Sequence, residues 1–391
     1  MGIGKIAFDF LYAQQEPMAS SGQPVPVQAR KQRWWIGPLL TAISLLIAVG
    51  LLEVAAWLCF KYRMPPSLGK RFVELAAYGE TNIPQTLAPH PYLLYVNQPG
   101  SGGEINSFGL RGPEIQKEKK PGVLRILFIG GSTTFSFVTD YRDAWPWQLG
   151  KMIQKETELR VEVLNAGLSY GTTAENLAAY VFRYRYLQPD VVVIETGLND
   201  QIPTWYPNYD PEYTHFRGPG AWWNPTRKEK LLLHSNIAKI VYVYWFNPLL
   251  KVYSQHPYGY ELLDRRETLD RVRTNSMEGF RRNLDLLVTL AKSDGCGVLL
   301  VGPLQARREN LAKGRPELQG MEQILEEGIE RHRAVIQEIA RARQVQMVEP
   351  RIGQFLDEMF IDNCHLTPAG ETVKAGEVLP ALKQLIETRG R

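Results

Sequence analysis

Residues 123–134 read VLRILFIGGSTT. The first seven are apolar except for Arg125, and the run stops at a Gly-Gly pair followed by three hydroxyl residues. An apolar run without alternation predicts a strand covered on both faces, because a half-exposed strand would alternate. Further short apolar runs follow at 161–164, 191–194, 298–301 and 345–348. Helical patterns separate them near 145–157, 174–187, 276–293, 319–343 and 368–388. The last helix has a clear start, with Thr367 as N-cap and Pro368 at its first position. Repeated alternation of strand and helix gives an α/β fold: three layers, α/β/α, around a mostly parallel five-stranded sheet. In such sheets ligands gather at the carboxyl ends of the strands.

Upstream, residues 36–60 read IGPLLTAISLLIAVGLLEVAAWLCF, with Glu53 as the one formal charge. About 20 apolar helical residues cross a bilayer core. Trp34, Trp35 and Trp57 stand near the ends, where indoles favour the interface. The segment 34–60 is therefore expected to be a single transmembrane helix, rather than a buried core helix, which would usually carry a polar face. A cleaved signal peptide would carry an apolar region of about 7–15 residues nearer the N-terminus. Arg30, Lys31 and Arg33 precede the span, and Lys61, Arg63, Lys70 and Arg71 follow it. Charge thus stands on both sides; the cluster directly before the span fits a signal anchor, with a short tail inside and the bulk of the chain extracytoplasmic. Residues 1–33 read as a disordered tail. Residues 61–120 read as a Pro/Gly-rich linker and capping segment, in which an ion pair or a packing role is the default for Arg111. The remainder, 121–391, is the α/β domain.

The 45 Lys and Arg residues nearly balance the 41 Asp and Glu, leaving a net charge of +4 without a dense basic block. Nucleic acid is not an expected partner. An apolar share of 44% excludes global disorder. Cys59, Cys296 and Cys364 are too few and too scattered for a disulfide framework or a thiolate metal cluster. His90, His215, His234, His256 and His332 lack ligand spacing, so neither metal nor cofactor is expected. Between 201 and about 260 the rhythm breaks into an insertion holding Trp205, Tyr206, Tyr213, Phe216, Trp222 and Trp223 among its aromatics. Two readings stand for it: a wall facing sugar or lipid, or a small satellite core. The apolar stretch 231–250 contains His234, Asn236 and Lys239, which argues against a second span.

Polar residues cluster where strands end. Gly130, Gly131 and Ser132 form a turn that can expose a serine hydroxyl, although glycine-rich turns also bind phosphate. Residues 165–173 (NAGLSYGTT) lead into a helix and offer backbone N–H groups at its start, suited to a developing negative charge. Asn199, in the sequence GLND at 197–200, can donate to the same point. Asp362 and His365, in DNCH, stand three apart before the last helix, so the carboxylate can orient the imidazole. Cys364 beside His365 raises a thiol alternative, but neighbours in a chain rarely aim productively at one another.

Taken together, GGST, GLND and DNCH in this order resemble the blocks of the SGNH hydrolases, also called GDSL-type esterases, across about 121–391. The family's frequent Gly-Asp-Ser reads Gly-Gly-Ser here. The resemblance implies Ser132 as nucleophile, His365 as base and then acid, and Asp362 as its orienter. It implies an oxyanion hole made by the Ser132 N–H, the Asn199 amide and a backbone N–H of the second block. At that block the usual glycine position holds Tyr170, with Gly171 next, and both remain open as donor. Implied partners are an ester-bearing small molecule, a lipid or an acylated glycan. The leading expectation is a membrane-anchored serine hydrolase of carboxylic esters. The alternatives are an O-acyltransferase, such as an acetyltransferase, working on a surface glycan, and a non-catalytic anchored binding protein.

Overall fold

The computed structural model describes residues 35–64, 72–73, 87–90, 92–101, 104–138, 140–207, 209–216, 226–246 and 263–389. The expected tail 1–33, Trp34, much of 65–86, and Trp222 and Trp223 lie outside them. The chain divides into two compact units, Met1–Leu51 and Leu52–Arg391, with the boundary inside the first helix.

That helix, Ile36–Tyr62, has 27 residues. Among the described residues it is the one helix long and apolar enough to cross a membrane. Only Ala56 and Phe60 in it are buried, whereas a core helix would bury most of its apolar surface.

The larger unit is built on a sheet of five strands, all parallel: β3 (Val123–Gly130), β4 (Arg160–Gly167), β5 (Val191–Glu195), β6 (Gly297–Val301) and β7 (Gln346–Val348), in the order β4-β3-β5-β6-β7. The β1 (Leu87–His90) and β2 (Leu94–Asn97) strands form a separate antiparallel pair within the segment read as linker and cap. The unbroken apolar runs have a simple cause. Ile126 and Phe128 point to one face, against Trp145 and Leu149 of the Trp145–Thr157 helix and Val378 and Leu382 of Pro368–Arg389. Leu127 and Ile129 point to the other, against Tyr180, Leu284 and Ile336 from the helices Thr173–Phe182, Glu278–Ser293 and Glu322–Arg343. Both faces are covered, so neither position in the period-two pattern is polar. Each such side chain contributes roughly 1.5–3 kcal/mol by leaving water.

Helix boundaries follow local chemistry. Thr172 caps the Thr173–Phe182 helix in a capping box with Glu175, and the helical pattern read to 187 ends as a 3-10 turn, Tyr184–Leu187. Thr367 accepts from Gly370 N at 3.4 Å at the start of the last helix. In the aromatic insertion, Trp205, Tyr206 and Phe216 join Val272, Leu304, Phe355 and Phe360 in a small second core. Two short helices, Arg227–Leu232 and Asn236–Val241, occupy its later part.

Candidate active site

The register aligns the strand ends. Gly130 stands opposite Gly167 on one side and Glu195 on the other, so the segments that follow leave the sheet at one level. Ser132 opens a single helical turn, Ser132–Phe135. Glycine is required two residues before it, since a Cβ on Gly130 would lie 2.4 Å from the backbone oxygen of Glu195. Asp362 and His365 come from a loop closed by an antiparallel bridge between Phe360 and Leu366, with Ile361 N donating to His365 O at 2.8 Å.

The structure brings the expected Ser, His and Asp into one hydrogen-bonded line. His365 Nε2 is 2.9 Å from Ser132 Oγ, and His365 Nδ1 is 2.8 Å from Asp362 Oδ2. The other Asp362 oxygen accepts from the backbone N–H groups of Cys364 (2.9 Å) and His365 (2.8 Å). Burial alone would raise the Asp362 pKa, but the His365 contact and these N–H groups outweigh it and hold the carboxyl well below its usual range. Burial disfavours the His365 imidazolium, yet the Cys364 sulfur and the Asp362 carboxylate oppose it, and the net direction is upward. The Phe137 ring meets the imidazole edge-on at 4.6 Å. Cys364 Sγ lies 3.8 Å from His365 Nδ1, on the Asp362 side of the ring rather than the Ser132 side. Among the described residues, Asp362, Cys364 and His365 form the one group of donors close enough to share a metal ion; two of its three members are already paired with each other.

The serine turn is anchored by residues whose role the sequence left unread. Arg111 is buried and donates to the carbonyls of Phe135 (2.9 Å), Ser136 and Val138 (2.7 Å). The default reading also holds, since the same guanidinium pairs with Glu104 at 2.6 Å. A cation at the end of a helical turn meets carbonyls that have no partner within it. Trp145 Nε1 donates to Thr133 O at 3.0 Å, and Thr134 Oγ1 to Glu195 at 2.8 Å. Glu195 is itself paired with Lys374 at 2.5 Å, both side chains fully buried. Nearby, burial pushes Glu371 up to about 7 against the pull of Lys374, and its carboxyl accepts from Trp145 N at 2.8 Å. The sequence signal was present: an acid closing an apolar strand and a lysine in a helix that must cover the sheet.

In the second block, Gly171 N donates to Leu168 O at 2.8 Å, closing a turn. Tyr170 sits at φ 61°, the left-handed region where glycine is usual. Asn199 Nδ2 donates to Gly171 O at 2.9 Å, and the amide carries a second N–H. Asp200, next in sequence, is buried. It accepts from Thr173 N at 3.0 Å, Thr173 Oγ1 at 2.6 Å, Thr196 Oγ1 at 3.1 Å and Tyr213 OH at 3.2 Å. Burial, opposed by these bonds, pushes its pKa up to about 6. It thereby ties the GLND turn to the start of the Thr173–Phe182 helix. Tyr95 OH, from β2, donates to Ser169 O at 2.9 Å and braces the same loop.

Ser132, Tyr170, Asn199, Asp362 and His365 line a cavity of about 530 Å³. Trp205, Ile202, Leu318 and Leu325 give it an apolar side, and Arg315 and Glu317 a charged one. Of the insertion's aromatics, Trp205 reaches the cavity while Tyr206 and Phe216 stay in the second core.

A five-stranded parallel sheet in this order, with a Ser–His–Asp line at its carboxyl edge, is the arrangement of a serine ester hydrolase built on an α/β/α fold. The chain belongs to the GDSL-like lipase/acylhydrolase family, whose model matches residues 128–373, and it is an enzyme acting on ester bonds. Similar solved structures include an acetylxylan esterase from Geobacillus stearothermophilus, 17% identical, covering 66% of this chain and 94% of that one with a TM-score of 0.39. A GDSL-like lipase from Bacteroides thetaiotaomicron is 16% identical and covers 70% of this chain and 93% of its own, with a TM-score of 0.36. No curated protein sequence matches the chain.

Proposed function

We propose that the chain is a membrane-anchored esterase that works through an acyl-enzyme on Ser132, with residues 121–391 as its hydrolase domain. The observation that carries the reading is the Ser132–His365–Asp362 line opening into the cavity. Ser132 Oγ attacks the ester carbonyl while His365 Nε2 takes its proton, and Asp362 holds the ring and favours the imidazolium. The tetrahedral oxyanion is met by the Ser132 N–H, the second Asn199 N–H and the backbone N–H of Tyr170. Tyr170 is preferred to Gly171 because it lines the cavity beside Ser132 and Asn199. The C–O bond breaks, His365 returns the proton to the departing alkoxide, and the alcohol leaves. Water then repeats the sequence with His365 as base, releasing the acid and restoring Ser132. The ester sits with its apolar part against Trp205, Leu318 and Leu325 and its polar part toward Arg315 and Glu317. Residues 36–60 anchor the chain, with the hydrolase domain on the extracytoplasmic side.

The test compares hydrolysis of short-chain aryl esters by the full chain in detergent with that of its Ser132→Ala and Cys364→Ser variants. Loss of turnover in Ser132→Ala with retention in Cys364→Ser is the expected result. Equal rates for wild type and Ser132→Ala would remove Ser132 from the chemistry.

A further inference from the structure

We propose that the segment from Arg227 to Phe246 is a second lipid-contacting element, seated in the bilayer interface beside the end of the membrane helix; this rests on the anchor reading above. Glu53, the one formal charge in the apolar run, accepts from Ser235 Oγ, from Asn236 N at 2.6 Å and from Ile237 N at 3.4 Å. It therefore caps the start of the Asn236–Val241 helix. A carboxylate in such a run needs partners, and this segment supplies them. Apolar packing reinforces the join, since Ala56 and Phe60 bury against Phe72, Leu233, Tyr242 and Val243. The buried Lys239 donates to Val73 O at 3.1 Å and to Asn236 Oδ1 at 3.2 Å.

The position follows from the helix itself. Glu53 is 53 − 36 = 17 residues beyond Ile36, about 26 Å at 1.5 Å per residue, close to the far edge of a hydrocarbon core of about 30 Å. The segment bonded to Glu53 is held at that edge. Its remaining apolar residues face outward: Leu231 is 75% exposed, Trp245 72% and Phe246 75%. Arg227 and Lys228 beside them are also exposed. Tryptophan, large apolar side chains and basic residues together form the composition that settles at a lipid interface. Held there, the apolar residues leave water and the basic ones face headgroup phosphates.

The experiment places the full chain in nanodiscs of phosphatidylcholine and phosphatidylglycerol containing a phospholipid with an acyl-chain diazirine. Adducts are mapped by mass spectrometry after illumination. The expected result is labelling of both 36–62 and 227–246, with loss of the second site alone in a Trp245→Ser/Phe246→Ser variant. Labelling confined to 36–62 would overturn the proposal and leave the anchor standing. An unlabelled 36–62 would overturn the anchor and the proposal with it.

Discussion

Replacing Arg111 with leucine removes a guanidinium that serves three carbonyls behind Ser132 and one carboxylate. Taking one partner from a buried ion pair costs about 3–5 kcal/mol. Glu104 keeps some access to water, with its side chain 24% exposed, which favours the low end. The carbonyls of Phe135, Ser136 and Val138 are left short of a donor, at roughly 1–3 kcal/mol for each buried group that finds no substitute. Asn199 and the turn's own N–H groups point elsewhere, though Asn165 Nδ2 still reaches Thr134 O at 3.1 Å and Phe135 O at 3.4 Å, so relief is partial. A net loss of about 4 kcal/mol is expected, equivalent to roughly 8–16 °C in Tm at the 2–4 °C per kcal/mol of a domain this size. The turn carries Ser132, and displacing a nucleophile by about 1 Å costs on the order of 10²-fold. Arg111→Leu should therefore lower kcat with little change in KM at a temperature well below its own Tm. Arg111→Lys should fall between, because a single ammonium cannot present a fork to three acceptors. Circular dichroism melting and initial rates on the same detergent-solubilised protein measure both effects. A melting temperature within about 2 °C of wild type together with unchanged kcat would refute the reasoning.

Two further outcomes follow from the same site. Asn199→Ala should reduce turnover by about 10²–10³ while leaving Ser132 reactive toward a fluorophosphonate probe; a loss below about tenfold would remove the amide from the oxyanion hole. The base must be neutral to accept a proton, and the upward direction at His365 means that protonation persists to higher pH. The rate should accordingly rise with pH through an acid limb placed above the ordinary histidine value of about 6.5. In Cys364→Ala, with the first of the opposing influences gone, that limb should move down. A limb at or below 6.5 in the wild type would count against this electrostatic account.

The sheet was legible because both faces of its inner strands are covered, which turns residues 191–194 and 297–301 into continuous apolar runs, while the edge strands β4 and β7 carry Glu162 and Gln346. The residues that point into the cavity were legible because each follows a strand or precedes a helix at a break in that pattern. What surrounds them was not. Arg111 meets carbonyls 24 to 27 residues away, and Glu371 accepts from Trp145 across 226 residues. Such partners are set by the fold, with no local spacing to betray them. Tyr170 looked like a departure from a glycine, yet its backbone adopts the left-handed conformation that explains why glycine is usual there. The insertion was ambiguous because burial and ligand contact ask for the same aromatic residues, and Trp205 does both.

The hydrogen-bonded line joins Ser132 to His365 across 233 residues of sequence. Its far end is held by the Pro368–Arg389 helix, whose Glu371 and Lys374 reach back to Trp145 and Glu195. The Ser132 turn is therefore synthesised 233 residues ahead of His365. The line can close only once the Pro368–Arg389 helix has docked on Trp145 and Glu195.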